Sequence, residues 1–400
     1  MIKFDFNTYM KSFDRVGNYQ SKINKIINLL ETGTSMNDWY DIDKCITPGV
    51  LEDILETSKY IRNNCDVFIV IGVGGSSLGA KAVVDAFKPY FKKSNPEIIF
   101  LGSSLSSVYL KELLKYIEGK EVIINVISKS GTTFETNLYF EYIYKELNKR
   151  YVEDELNKRI IITTDAKEGS LRQLVNQKNY KSFVLPSNIG GRYSVMTVVG
   201  LLPIAVSGID INEMILGAKA LDKQKSFDYA VSRDLLYKYG KKVESLTIYE
   251  PKLLSLVESI KQVLAETQGK EGKAILPIAS INTGDLHSLG QFYQEGSQIL
   301  FETVINVEYN NDIVISKYNK KLDDINKIVA SQVATSHMKN DVYSNFISLD
   351  ALTPFNIGQL IYFFEIAAAA GAYLLEVEPF GQPGVSEYKK LVARELDNNE

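Results

Sequence analysis

From residue 65 onward the chain alternates short, nearly unbroken apolar runs with longer amphipathic stretches. The runs at 66–72, 97–101, 121–127 and 159–164 are rich in Val and Ile. Runs of this length and composition suit parallel strands buried on both faces. Helical spacing follows each run, at 78–91, 108–117, 134–150 and 169–177. Strands alternating with helices imply right-handed βαβ units and an open, doubly wound α/β sheet. Helices at 194–206 and 212–222 mark a transition. A second, less regular series then predicts strands at 245–249, 274–279, 300–307 and 342–349. Its helices fall at 228–242, 253–265, 323–338 and 359–376, and a final helix covers 385–396. The first forty residues read as helical, with Ile23, Ile26, Ile27 and Leu30 on one face and Gly33 as the stop. The expected division is a helical cap over 1–44, a larger α/β domain over 45–220, a second over 221–378 and a C-terminal helical segment over 379–400.

Composition narrows the function classes. Lys and Arg number 45 against 49 Asp and Glu, a net charge of −4, which argues against a general nucleic-acid binder. The two cysteines, Cys45 and Cys65, form neither a disulfide framework nor a zinc motif. The two histidines, His287 and His337, lie too far apart in sequence for a clustered metal site. The N-terminus is charged throughout and lacks the apolar core of a secretory signal. Gln359 and Glu365 interrupt the long apolar stretch 357–377, so it reads as a buried core helix. A soluble, cytoplasmic protein with no membrane partner is expected.

Two loops after predicted strands carry anion chemistry. Gly72-Val-Gly-Gly-Ser-Ser-Leu-Gly79 lets the backbone approach a ligand at a helix N-terminus. It fails the dinucleotide fingerprint, because Ser77 stands at the third glycine position. It also fails the P-loop pattern, because Ala80 follows Gly79. Ser128-Lys-Ser-Gly-Thr-Thr133 gathers four hydroxyls, one ammonium and several amides, a set suited to a phosphate. The competing reading makes Thr133 an N-cap and nothing more. Two such loops at strand ends of one sheet favour a ligand, since open α/β sheets bind at that edge.

Acid–base candidates lie further along. Glu266 falls at the end of a predicted helix, where a carboxylate opposes the macrodipole, and Gln262 is four residues earlier on the same face. His287 sits in a polar turn flanked by Gly284 and Gly290, beside Asp285, and histidine is a residue type suited to acid–base work. His337, on a predicted amphipathic helix, reads as structural or exposed. Arg192 follows a Gly-Gly pair, and Lys389 lies where the last helix begins.

Together, GVGGSSLG, SKSGTTFET, GGRYSVMTVVGLLPIAVSGID, AETQGKEGKAILP, TGDLHSLGQFYQEG and PFGQPGVSEYKK resemble the glucose-6-phosphate isomerase (phosphoglucose isomerase) family, bacterial type. They occur in the family's order between residues 72 and 390. The resemblance implies two sugar-isomerase (SIS) domains, each a mainly parallel doubly wound sheet flanked by helices. It implies interconversion of glucose 6-phosphate and fructose 6-phosphate through a cis-enediol(ate) after ring opening, in glycolysis and gluconeogenesis. It makes Glu266 the proton-transferring base and Arg192 the cation beside the enediolate. His287, supplied across a homodimer, and Lys389 are the ring-opening groups. Gly75, Ser76, Ser128, Lys129, Ser130, Thr133, Gln262 and Gln382 become substrate and phosphate contacts, and neither cofactor nor metal is implied. The chain departs from the family in its shorter length, in Ser77 where many members have Asp, in Gln268 and in Pro383. The alternatives are an isomerase that also accepts mannose 6-phosphate and a sugar-phosphate-binding regulator. The regulator has no need of Glu266, His287, Arg192 and Lys389 together.

Overall fold

The computed structural model describes residues 2–6, 19–33 and 36–397. Strand β1 (Ile2–Asp5) opens the chain. The first sheet follows, with β2 (Val67–Ile71), β3 (Glu97–Leu101), β4 (Val122–Ile127), β5 (Ile160–Thr164) and β6 (Lys181–Val184). The second contains β7 (Val243–Ile248), β8 (Leu276–Ile281) and β9 (Leu300–Val307). After the small hairpin β10 (Val314–Ile315) and β11 (Lys320–Lys321) comes β12 (Ser344–Leu349).

The first sheet is fully parallel in the order β3-β2-β4-β5-β6. Every residue of β2, β4 and β5 is buried, as continuous apolar runs require. The two sides of β2 serve different layers. Phe68 and Val70 face the central core, and Ile69 and Ile71 face the outer helices with Tyr139 and Ile143. The chain order reverses between β2 and β4, so the loops after these two strands flank the topological switch point, where such sheets bind ligands.

The second sheet runs β1-β12-β9-β7-β8, parallel except for β1. Pro277 lies in β8 at the sheet edge, where a missing N–H is tolerated. One continuous core joins the two sheets. It runs from Phe68 and Val70 through Leu201, Ile204 and Phe363 to Leu246 and Ile248. Helix Pro354–Leu374 is long and apolar enough to cross a membrane, yet 94 % of its most apolar window is buried inside the protein. It packs against helices Ile211–Lys219, Gln224–Lys238 and Leu254–Gln268, as expected of a core helix.

Some expectations need correction. Residues 2–5 form a strand, not a helix, because they pair antiparallel with β12. The helical reading of 7–18 lies outside the described residues. Helix Tyr19–Thr32 does stop at Gly33, with Ile23, Ile26 and Leu30 buried. Strand β6 and helix Glu153–Lys158 have no counterpart among the predicted elements. The helix expected from residue 194 begins at Val198, after a 3-10 turn over Gly191–Tyr193. His337 is buried, 3.1 Å from Glu302 and stacked on Tyr293, and is therefore structural. Cys45 and Cys65 are free and buried, and burial pushes the Cys65 thiol up to about 12, away from reactivity.

Candidate active site

Helix Leu254–Gln268 brings Glu266 to the switch-point side of the molecule. It lies along helix Leu78–Phe87, and Lys81 Nζ donates to Ser255 Oγ at 3.2 Å. Gln262 Nε2 donates to Glu266 Oε1 at 3.0 Å, an i, i+4 pair on one helical face. Gln382 Nε2 donates to Oε2. Arg192 Nη1 stands 3.5 Å from the same oxygen. The carboxylate that opposes the helix dipole is thus held by two amides and one guanidinium.

Arg192 is itself fixed from three sides, with only 5 % of its side chain exposed. Its Nε donates to Thr267 Oγ1 at 2.8 Å and its Nη2 to Pro379 O at 2.6 Å. Thr267 also shares a 2.9 Å hydrogen bond with the Tyr193 hydroxyl. Tyr193 stacks on Trp39 with centroids 4.4 Å apart. Burial pushes the Tyr193 hydroxyl up to about 12, so it stays protonated. Lys270 Nζ donates to Phe380 O at 3.0 Å, so two cations strap the segment that presents Gln382. Burial, and then Arg192, lower the Lys270 ammonium.

The first glycine loop meets this cluster at close range. A Cβ on Gly75 would lie 2.2 Å from the Gly191 carbonyl carbon, so the loop backbone lies against the turn that carries Arg192. Ser76 is half-buried on the 3-10 turn Gly74–Ser76.

The second loop is built around Ser128. Its buried hydroxyl accepts from Gly131 N at 3.2 Å and lies 3.1 Å from Thr133 Oγ1. Thr133 occupies the N-cap position of helix Phe134–Asn148, but its side chain caps nothing. The cap reading therefore fails, and the hydroxyl faces Ser128. Ser130 and Thr132 share a 2.8 Å hydrogen bond. Lys129 is exposed and donates to Ser187 O at 2.8 Å. Gly131 adopts a left-handed φ of +69°, and its carbonyl accepts from Asn137 Nδ2 at 2.9 Å and Ser170 Oγ at 2.7 Å. The Gly131 carbonyl is thus bonded away, while the Ser128, Ser130, Thr132 and Thr133 hydroxyls and the Gly131 and Thr132 amides bond to one another within the loop.

The structure brings Glu266, Arg192, Gln262 and Gln382 together. His287, on the 3-10 turn Gly284–His287, and Lys389, on helix Ser386–Asp397, are exposed. Among the described residues, neither makes a hydrogen bond or ion pair with that cluster. Sequence reasoning missed Thr267, Tyr193, Lys270, Asn137 and Ser170. Their partners lie 74 and 75 residues away for Thr267, and 110 and 39 for Lys270 and Ser170, separations no short motif records, while Asn137, six residues from Gly131, lies just past the SKSGTTFET segment.

The phosphoglucose isomerase family profile matches residues 56–287. The glucose-6-phosphate isomerase of Acholeplasma laidlawii is 41 % identical, over 99 % of this chain and 99 % of that protein. A hypothetical protein from Thermus thermophilus has the same fold, with a TM-score of 0.88 at 24 % identity over 99 % of this chain and all of that one. A glucose-6-phosphate isomerase from Chlamydia trachomatis superposes with a TM-score of 0.75 at 23 % identity, over 87 % of this chain and 72 % of that one. With a profile match over more than half its length and a near-full-length relative at this identity, the chain belongs to the phosphoglucose isomerase family.

Proposed function

We propose that Glu266 is the proton-transferring base of the reaction this family carries out. The chain interconverts D-glucose 6-phosphate and D-fructose 6-phosphate. The observation that carries the site assignment is the fixed Glu266–Arg192 pair beside the first switch-point loop. Aldose–ketose exchange removes a weakly acidic proton next to a carbonyl and returns it to the neighbouring carbon. One carboxylate serves both carbons, and Glu266 is oriented for this by Gln262 and Gln382. The enediolate oxygen needs a fixed positive partner, and the Arg192 guanidinium supplies one. Gly75, Ser76, Ser128, Lys129, Ser130 and Thr133 hold the phosphate end of the sugar.

The phosphate assignment has a kinetic test. Ser128→Ala combined with Thr133→Ala, which removes two hydroxyls, should raise KM for fructose 6-phosphate by roughly 10²- to 10⁴-fold. Each hydrogen bond to a charged group contributes about 1.5–3 kcal/mol. An unchanged KM moves the phosphate elsewhere.

His287 and Lys389 are the ring-opening groups in this reading. His287 is exposed and separate from Glu266 in its own chain, which supports a homodimer whose sites each take His287 from the partner. An isologous dimer then makes a specific prediction. Mixing inactive Glu266→Gln and His287→Ala chains should restore about a quarter of wild-type activity, because half the dimers are mixed and each has one intact site. No recovery after verified subunit exchange rejects the shared site. The near-complete burial of helix Pro354–Leu374 fits a soluble, cytoplasmic enzyme.

A further inference from the structure

Two residues beyond Glu266, the chain buries a hydrogen-bonded ion-pair network that no step above uses. Gln268, fully buried, is the last residue of helix Leu254–Gln268. Its Nε2 donates to Ala368 O at 3.0 Å, and its Oε1 accepts from Arg233 Nη1 at 2.6 Å. Arg233, 2 % exposed, donates through Nε to Glu244 Oε2 at 2.8 Å. Glu244 Oε1 accepts from Thr303 Oγ1 at 2.7 Å and from the Tyr229 hydroxyl. The network therefore ties the end of the Glu266 helix to β7, β9 and the helices Gln224–Lys238 and Pro354–Leu374. Space for the Gln268 amide exists because residue 371 is Gly, where a Cβ would lie 2.3 Å from Gln268 Nε2.

We propose that Gln268 and Arg233 are positioning residues for Glu266, bracing the last turn of its helix against the second sheet. The inference rests on the reading of Glu266 as the base. Beyond Gln268 no regular structure continues the turn. Glu271, Gly272 and Ala274 all have positive φ, and the next strand begins at Leu276. The turn is pinned on one side by Thr267 to Arg192 and on the other by Gln268 to Arg233. Releasing the second pin lets the Glu266 carboxylate drift, and proton transfer depends steeply on that distance. Substrate affinity depends on the phosphate loop, which the brace does not touch. The brace therefore acts on kcat and spares KM.

The test is steady-state kinetics on full-length variants, with thermal unfolding to show that each is folded at the assay temperature. Gln268→Leu should lower kcat by about 10- to 100-fold and leave KM within about twofold of wild type. Gln268→Asn keeps the amide but shortens its reach. It is the milder variant and should show the same kcat-only signature. Gln268→Glu keeps an acceptor for Arg233 but loses the donation to Ala368 O, so its kcat should fall between those of wild type and Gln268→Leu, with KM unchanged. Wild-type kcat in folded Gln268→Leu and Gln268→Asn overturns the proposal, leaving the network purely structural. A rise in KM matching the fall in kcat overturns it too. Equal losses in Gln268→Glu and Gln268→Leu reject the link through Arg233. Glu266→Gln, assayed alongside, separates the two readings. If that variant stays active, the base assignment fails. If it is inactive while the Gln268 variants are normal, only the brace fails.

Discussion

Glu266→Gln should abolish isomerisation, with turnover falling by at least about 10³-fold while the sugar phosphate still binds within a few-fold of wild type. The amide has the carboxylate's shape but cannot take up a proton from carbon. Its neighbours can accommodate it. The amide oxygen can still accept from Gln382 and face Arg192, while its NH₂ group meets Gln262, whose own amide can turn to present oxygen. The substitution leaves the buried Arg192 guanidinium without its carboxylate, but Thr267 Oγ1 and Pro379 O still accept from it, and thermal unfolding of the variant checks that it stays folded. The loss therefore reports chemistry and not unfolding. The check supplies fructose 6-phosphate and follows glucose 6-phosphate through a coupled dehydrogenase, with exchange of solvent deuterium into the sugar as a second readout. Loss of both signals is the expected result. Turnover above about a tenth of wild type would require another base, since a positioned general base contributes about 10²–10⁴ in rate.

Parts of this arrangement are legible in the sequence, and others are hidden for physical reasons. Strands β2, β4 and β5 are readable because burial on both faces leaves an unbroken apolar run. Strand β6 is not, because Lys181-Ser-Phe-Val lies at the sheet edge with only Phe183 buried. Strand β1 passes for helix because its partner β12 lies more than three hundred residues away and four residues carry no local period. The Glu266–Gln262 pair can be read from i, i+4 spacing on one helix. The contact of Arg192 with Thr267 spans 75 residues, and that of Gln268 with Arg233 spans 35. Tertiary packing alone makes such contacts. Resemblance to a family joins Arg192 to Glu266 as roles, and the fold supplies the partners that hold them there. Gln268 stands out in the sequence only as a departure from that family's pattern, and in the fold its side chain links the end of helix Leu254–Gln268 through Arg233 to Glu244 of the second sheet.

Arg192→Met should lower kcat by about 10²–10³-fold, the scale of losing one preorganised group at a developing oxyanion. Methionine keeps much of the apolar stem and removes the charge. Three consequences separate in principle. The enediolate loses its cation, which costs kcat because the negative charge develops only on the way to the transition state. Pro379 O loses its donor, which loosens the segment presenting Gln382 and raises KM by a smaller factor. Thr267 keeps the Tyr193 hydroxyl as a partner, so the last turn of the helix keeps that tie. The two kinetic effects can be told apart by adding guanidinium ion at millimolar concentration. A free cation in the vacated space should recover part of kcat, while KM stays raised because a diffusible ion cannot re-anchor the Pro379 carbonyl to the protein. A kcat within about tenfold of wild type in folded Arg192→Met would remove this side chain from the transition state. Arg192 would then be a strut between Thr267 and Pro379, and the positive partner of the oxyanion would have to come from Lys270 or Lys389.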